Sequence, residues 1–193
     1  MEQYLQQYAA RVCQAICALD WGALAGLSRV LGETVRDGRR IFVFGNGACA
    51  AAASHFVCDL AKGLTADPDI PRVKALALND CVPLLTAWAN DADYAEIFRQ
   101  PLANYLERGD LVIGLSASGN SPNVVNALAY GRERGGVTAA VAGKGGGKAA
   151  GLVDHLILVK NDSYEEVEDV IVAVTHMLKM AVLDHYREIA GGA

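Results

Sequence analysis

Five short apolar runs, none of them alternating with polar residues, constrain this chain more than any other feature. They are Arg40–Phe44, Val73–Leu78, Leu111–Leu115, Val137–Ala142 and His155–Val159. A strand that sends apolar side chains to both faces must be covered on both, as in a parallel sheet between helical layers. Helical stretches, or before the last run a glycine-rich turn, separate them. The pattern predicts helices over 2–18, 20–37, 48–62, 82–89, 92–107, 122–134 and 164–189. Asp20 is the expected N-cap of the second helix and Gly38 its stop. The expected fold is one α/β domain over 1–193: a parallel-sheet, three-layer α/β/α sandwich of flavodoxin or Rossmann type, with residues 1–37 as an N-terminal helical extension.

Composition narrows the function. Hydrophobic residues make up 52% of the 193 and charged residues 20%, enough apolar content for a sizeable core. The net charge is -5, with Lys and Arg scattered, so no nucleic-acid partner is expected. No apolar run approaches the roughly 18 residues of a membrane span. The opening MEQYLQQYAARV is too polar for a signal peptide. Cys13, Cys17, Cys49, Cys58 and Cys81 are odd in number and include no CxxC pair. They are expected to be reduced core residues, and the chain to be cytoplasmic.

In parallel α/β sheets ligands bind beyond the carboxyl ends of strands. Two loops lie there. Ser116-Ala117-Ser118-Gly119-Asn120-Ser121 packs three hydroxyls and an amide between a buried strand and a helix opening with Pro122. Free backbone N–H groups and the helix dipole would add positive potential, which suits a phosphate monoester. The plainer alternative is a turn with an ordinary serine cap. The other loop, Gly45-Asn46-Gly47-Ala48-Cys49-Ala50, also fits the dinucleotide pattern GxGxxG/A. The acidic residue expected about 20 residues later is missing, so a nicotinamide enzyme is disfavoured.

The helix after Gly47 is apolar nearly all round, yet His55 and Asp59 share one face of it at a spacing of four. Burying a carboxylate is costly unless it is paired or metal-bound. The pair is either a structural ion pair or a catalytic or metal-binding one. On the last helix, Val167, Val170, Ile171, Val174, Leu178, Ala181 and Val182 form an apolar stripe, with Glu165, Glu168, Asp169 and His176 opposite. That polar side is either solvated or lines a site shared with another subunit.

Together these motifs resemble the sugar isomerase (SIS) domain family, and within it the phosphoheptose isomerases, over nearly the whole chain. The family pattern GNGGSAADAQHF corresponds to Gly45 through Phe56. Its S-x-S-G-N-S loop is complete at Ser116–Ser121, its Asn-Asp pair is Asn90-Asp91, and its closing helix keeps His176. The resemblance implies conversion of sedoheptulose 7-phosphate to an aldoheptose 7-phosphate through an enediol. It also implies a homotetramer with residues 1–37 packing in the oligomer, and zinc as a cofactor. Carried over by position, Asp59 is the base, His176 the acid and Glu168 a further catalytic group. His55, Asp59, Glu168 and His176 are the metal-site residues. Asn46, Gly47, Cys49, Asn90, Asp91, Ser116, Ala117, Ser118, Asn120 and Ser121 bind substrate. Asp59 stands where the family has Glu, Glu168 where it has Gln, and Cys49 where it has Ser; the first loop also carries Ala48, Ala52 and Ser54 where the family has Gly, Asp and Gln. The shorter Asp draws the base back by about an ångström, a misplacement that can cost roughly a hundredfold in rate, unless Glu168 takes over. The resemblance also admits a non-catalytic phosphosugar sensor or scaffold, like the SIS protein that associates with the bacterial replication initiator.

Overall fold

The computed structural model describes residues 1–68 and 70–191. Two helices, α1 (Glu2–Cys17) and α2 (Trp21–Arg36), precede β1 (Arg40–Gly45) and α3 (Ala48–Cys58). Then come β2 (Lys74–Ala77), α4 (Val82–Asp91), α5 (Arg99–Tyr105), β3 (Leu111–Ser116) and α6 (Pro122–Glu133). β4 (Val137–Ala142), β5 (His155–Leu158) and the long α7 (Tyr164–Gly191) complete the chain. The strands pair in the order β2-β1-β3-β4-β5, all parallel. This is the doubly wound arrangement expected from the apolar runs.

Successive strand residues point to opposite faces, and each face has its own core. Ile41, Val43, Leu111, Ile113 and Leu115 pack under α2, α3 and α7. Phe42, Phe44 and Val112 pack with Phe98, Leu102 and Leu128 from the other helical layer. Asp20 caps α2, its carboxylate accepting from the Ala23 N–H at 3.0 Å. α1 is anchored through its middle to the first turns of α7: the Tyr8 hydroxyl donates to Asp169 at 2.6 Å and Arg11 to Glu166 at 2.6 Å. Its first turn presents Tyr4 and Leu5 to solvent.

Three expected elements differ. The helix expected over 48–62 leaves the α form at Cys58 and continues as a π turn, Asp59–Leu64. The helix expected to stop at 89 runs through Asn90 to Asp91. The helix expected over 92–107 is instead a 3₁₀ turn, Tyr94–Glu96, followed by α5. Proline explains the last: Pro101 lacks an N–H and would clash with the carbonyl four residues back, so helix can only start close before it. Asp93 opens the 3₁₀ turn by accepting from the Ala95 N–H at 2.7 Å.

At the amino edge of the sheet, buried Asp110 ties two segments together. Its carboxylate accepts from the backbone N–H of Arg40, which starts β1, at 2.9 Å, and from that of Glu107 at 2.8 Å. Removing it leaves both half-buried donors without a protein partner, at up to about 1–3 kcal/mol each. Asp110→Ala should therefore lower the thermal midpoint by roughly 4–24 °C, at about 2–4 °C per kcal/mol for a chain this size. Differential scanning calorimetry will measure it, and a midpoint within a degree of the parent would show that the clamp carries no stability.

Candidate functional site

The sheet order reverses between β1 and β3, and the loops leaving these two strands frame a cleft of about 200 Å³. The β1 loop contributes Asn46, Gly47 and Cys49; the end of β3 and its loop contribute Ser116, Ala117, Ser118 and Ser121. Tyr164 and Glu168, from the first turns of α7, form the remaining wall. The sequence motifs thus converge from three separate elements.

Gly47 holds φ at 56°, which turns the chain from β1 into α3. Asn46 is fixed by a reciprocal amide pair: it donates to Asn123 at 2.9 Å and accepts from Asn123 at 2.8 Å. The Tyr94 hydroxyl donates to the same Asn46 oxygen at 3.2 Å. Asn123, Tyr94 and Tyr164 were not expected in the site. Asn123 follows Pro122 in the first turn of α6, where a polar residue is ordinary, and the tyrosines carry no motif.

The serine-rich turn is built differently from a simple cap. Ser121 is the N-cap of α6, yet its hydroxyl makes no capping hydrogen bond and lines the cleft. Val124, in the first turn, is served by Asn123 Oδ1 at 2.9 Å. Ser116 Oγ accepts from the Gly119 N–H at 3.1 Å and Ser118 Oγ from that of Asn120 at 3.2 Å. The backbone donors expected to face a ligand are therefore partly consumed inside the turn. In exchange, the serines accept these bonds and keep their own O–H protons to donate. An acceptor-only phosphate is matched by such hydroxyls. Asn120 lies outside the cleft wall: its amide donates to the Ser118 carbonyl at 3.0 Å and its oxygen accepts from the Lys148 N–H at 3.0 Å.

Of the five cysteines expected in the core only Cys49 is buried; Cys13 and Cys17 on α1, Cys58 at the end of α3 and Cys81 before α4 are exposed. Cys49 lies beneath the cleft, and desolvation pushes its thiol up to about 11, with an opposing backbone hydrogen bond at Ala117. The Glu168 carboxyl is also raised, by burial first and then by the charges of Glu165 and Asp169. Asn90 and Asp91 sit at the end of α4, outside the cleft wall and exposed, with Asn90 donating to Asp91 at 2.7 Å.

A second constellation lies further along α3 and α7. His55 Nε2 and His176 Nε2 are 2.8 Å apart in a hydrogen bond that one ring donates and the other accepts. Asp59 Oδ2 lies 3.5 Å from the first and 3.6 Å from the second. One ligand atom from each of the three residues falls within 4.8 Å of the others, a grouping able to hold a metal ion. Asp59 is also the residue at which the helix widens into the π turn. Glu168, expected among the same ligands, is not in this group. It precedes His176 by eight residues, which at about 1.5 Å each is roughly 12 Å along α7, and it faces the cleft instead.

Comparison with known proteins agrees with this architecture. Residues 3–143 match the SIS domain family. The chain is 33% identical to the phosphoheptose isomerase of Pelodictyon phaeoclathratiforme over 89% of its own length and 82% of that protein's. It is 34% identical to that of Nitratidesulfovibrio vulgaris (strain Miyazaki F), over 96% and 82%. Among solved structures, phosphoheptose isomerase GmhA from Neisseria gonorrhoeae superposes with a TM-score of 0.85, covering 94% of this chain and 97% of that one, at 24% identity; it speaks to the fold.

The cleft depends on close contact between the serine turn and the glycine-rich segment after β4. Gly119 has φ +63°, and a Cβ there would lie 2.1 Å from the Gly146 carbonyl oxygen. Gly119→Ala should cost about 2–4 kcal/mol from left-handed strain and overpacking. Urea unfolding will measure it, and a loss below about 0.5 kcal/mol, the range of a neutral surface substitution, would show the contact to be soft.

Proposed function

Because this chain belongs to the SIS-domain family of phosphoheptose isomerases, we propose that it is an aldose–ketose isomerase converting sedoheptulose 7-phosphate, or a closely related sugar phosphate, to the aldose phosphate. The observation that carries this reading is the uncommitted Ser121 hydroxyl in a cleft of serine donors, with an imidazole–carboxylate–imidazole group on the same two helices that wall it.

In the reaction a base takes a proton from C1 of the ketose and returns it to C2 through an enediol, while O2 gains a proton and O1 loses one. We assign the carbon-bound proton to Asp59 and the oxygen-bound proton to His176. The Asp59 carboxylate and the His176 ring are 3.6 Å apart, close enough for both to face one bound sugar carbon and its oxygen. Ser116, Ser118 and Ser121 anchor the phosphate, and the clamped Asn46 amide orients the sugar beside it. The shielded Glu168 carboxyl is the second group able to exchange a proton with bound sugar.

His55, Asp59 and His176 also fit a zinc ion. Ligands about 2.1 Å from a common ion at tetrahedral angles lie roughly 3.4 Å apart, against 3.5 and 3.6 Å from Asp59 to the two histidines; the histidines, 2.8 Å apart in a hydrogen bond, would give up their shared proton and separate by roughly half an ångström to admit the ion. When bound, zinc would supply Lewis-acid polarisation of a sugar oxygen. Both imidazoles are 50% exposed, and we assign the missing wall to a neighbouring subunit of a homotetramer in which residues 1–37 pack together. No single described helix is long and apolar enough to cross a membrane, and we place the enzyme in the cytoplasm.

Incubation with sedoheptulose 7-phosphate, with and without zinc, followed by NMR detection of the aldose, tests the activity. Tight phosphosugar binding without turnover would assign a regulatory role instead. His176→Ala and Asp59→Ala should each lower kcat at least about 100-fold, as for lost acid–base groups; near-parental turnover in both rejects the assignment. Ser121→Ala should raise KM roughly tenfold or more, the loss of one hydrogen bond to a charged group. An unchanged KM removes the phosphate from this cleft.

A further inference from the structure

No lysine or arginine lines the cleft among the described residues; its only carboxylate is Glu168. A phosphate dianion would also meet the acidic start of α7, where Glu165, Glu166 and Asp169 flank Glu168. Serine hydroxyls supply dipoles but no net charge. A mobile cation nevertheless stands at the rim. Lys144 Nζ lies 3.5 Å from the centre of the Tyr164 ring, and Tyr164 is one wall of the cleft.

The backbone at Lys144 is unusual in the same sense. It is the only described residue other than glycine with positive φ, at 46°. An L side chain is held there at a cost, and such strain persists where the surroundings over-determine it. Here they do. The Ala149 N–H donates to the Gly119 carbonyl at 3.0 Å, the Lys148 N–H to Asn120 Oδ1 at 3.0 Å, and the Lys144 N–H to the Asn161 carbonyl at 3.3 Å. The segment bearing Lys144 is thus locked to the phosphate-binding turn itself, while the four-carbon side chain stays free to pivot.

Resting on the isomerase reading above, we propose that Lys144 is a phosphate-binding residue of this site: parked over Tyr164 when the cleft is empty, its ammonium moves onto the phosphate of the bound sugar. A cation–π contact at a half-exposed ring is weak beside a charge-assisted hydrogen bond to a phosphate oxygen, so the ligand wins the competition. The residue then selects for phosphorylated over neutral sugars and offsets the repulsion from α7.

The test is calorimetric titration with inorganic phosphate, paired with steady-state kinetics on sedoheptulose 7-phosphate. Lys144→Met should raise the phosphate Kd and the KM about tenfold, as for one lost charge-assisted hydrogen bond, with kcat within about twofold. Lys144→Arg should retain most of the affinity. Lys144→Gly relieves the left-handed strain, so it should be at least as stable as the parent on heating and still bind phosphate as poorly as the Met variant. Raising the salt concentration should weaken phosphate binding more steeply in the parent than in Lys144→Met. Parental Kd values in both the Met and Gly variants would overturn the proposal. If the parent binds phosphate but does not isomerise the sugar, the isomerase reading falls and the Kd values alone decide the role of Lys144. A parent that binds no phosphate overturns both.

Discussion

The parallel pairing of β1 with β3 is the contact on which the rest depends. Chain order runs one way from β1 to β2 and the other way from β3 through β4 to β5. The loops leaving β1 and β3 therefore diverge, and the opening between them cannot be filled by either crossover. The register Gly45 to Leu115 brings the two loops out level with each other. Asn46 and Asn123 then lock across the gap. Any shift in that register would separate the amide pair and remove one rim of the cleft.

The cleft handles charge by dipoles first. Its floor is a protonated thiol, and of its three side hydroxyls those of Ser116 and Ser118 have already accepted hydrogen bonds from their own turn, while that of Ser121 is uncommitted. Such a surface binds an anion without an internal cation whose desolvation would have to be offset when the site is empty. The acidic side chains at the start of α7 are favourably placed for the helix dipole, and hydrogen bonds from Arg11 and Asn161 lower the Glu166 carboxyl. The same acids work against an incoming phosphate, which is why a movable cation outside the wall matters.

Much of this was legible in the residues alone. The apolar runs specified the layers, because burial on both faces of a strand leaves little choice of architecture. The serine loop and the His55–Asp59 spacing were readable because each is local: one turn, or one helical step of four. What escaped depended on long-range placement. Glu168 and His176 share a helix, and only the packing of α7 beside α3 shows that one serves the cleft and the other the histidine pair. Asn123 reads as an ordinary first-turn residue until Asn46 is set opposite it. The π turn at Asp59 has no signature in sequence, and α5 starts late for a reason that Pro101 states but the hydrophobic period hides.

α3 and α7 both begin at the cleft and run away from it side by side, with Cys49 and Glu168 near their starts and His55 and His176 abreast further down. Six residues on one helix and eight on the other set that offset at roughly 9–12 Å. The helices act as a gauge. A ligand that engages both ends within one chain must be extended and several carbons long between its phosphate and its reacting end, so a three-carbon phosphate anchored in the serines would stop short of the imidazoles.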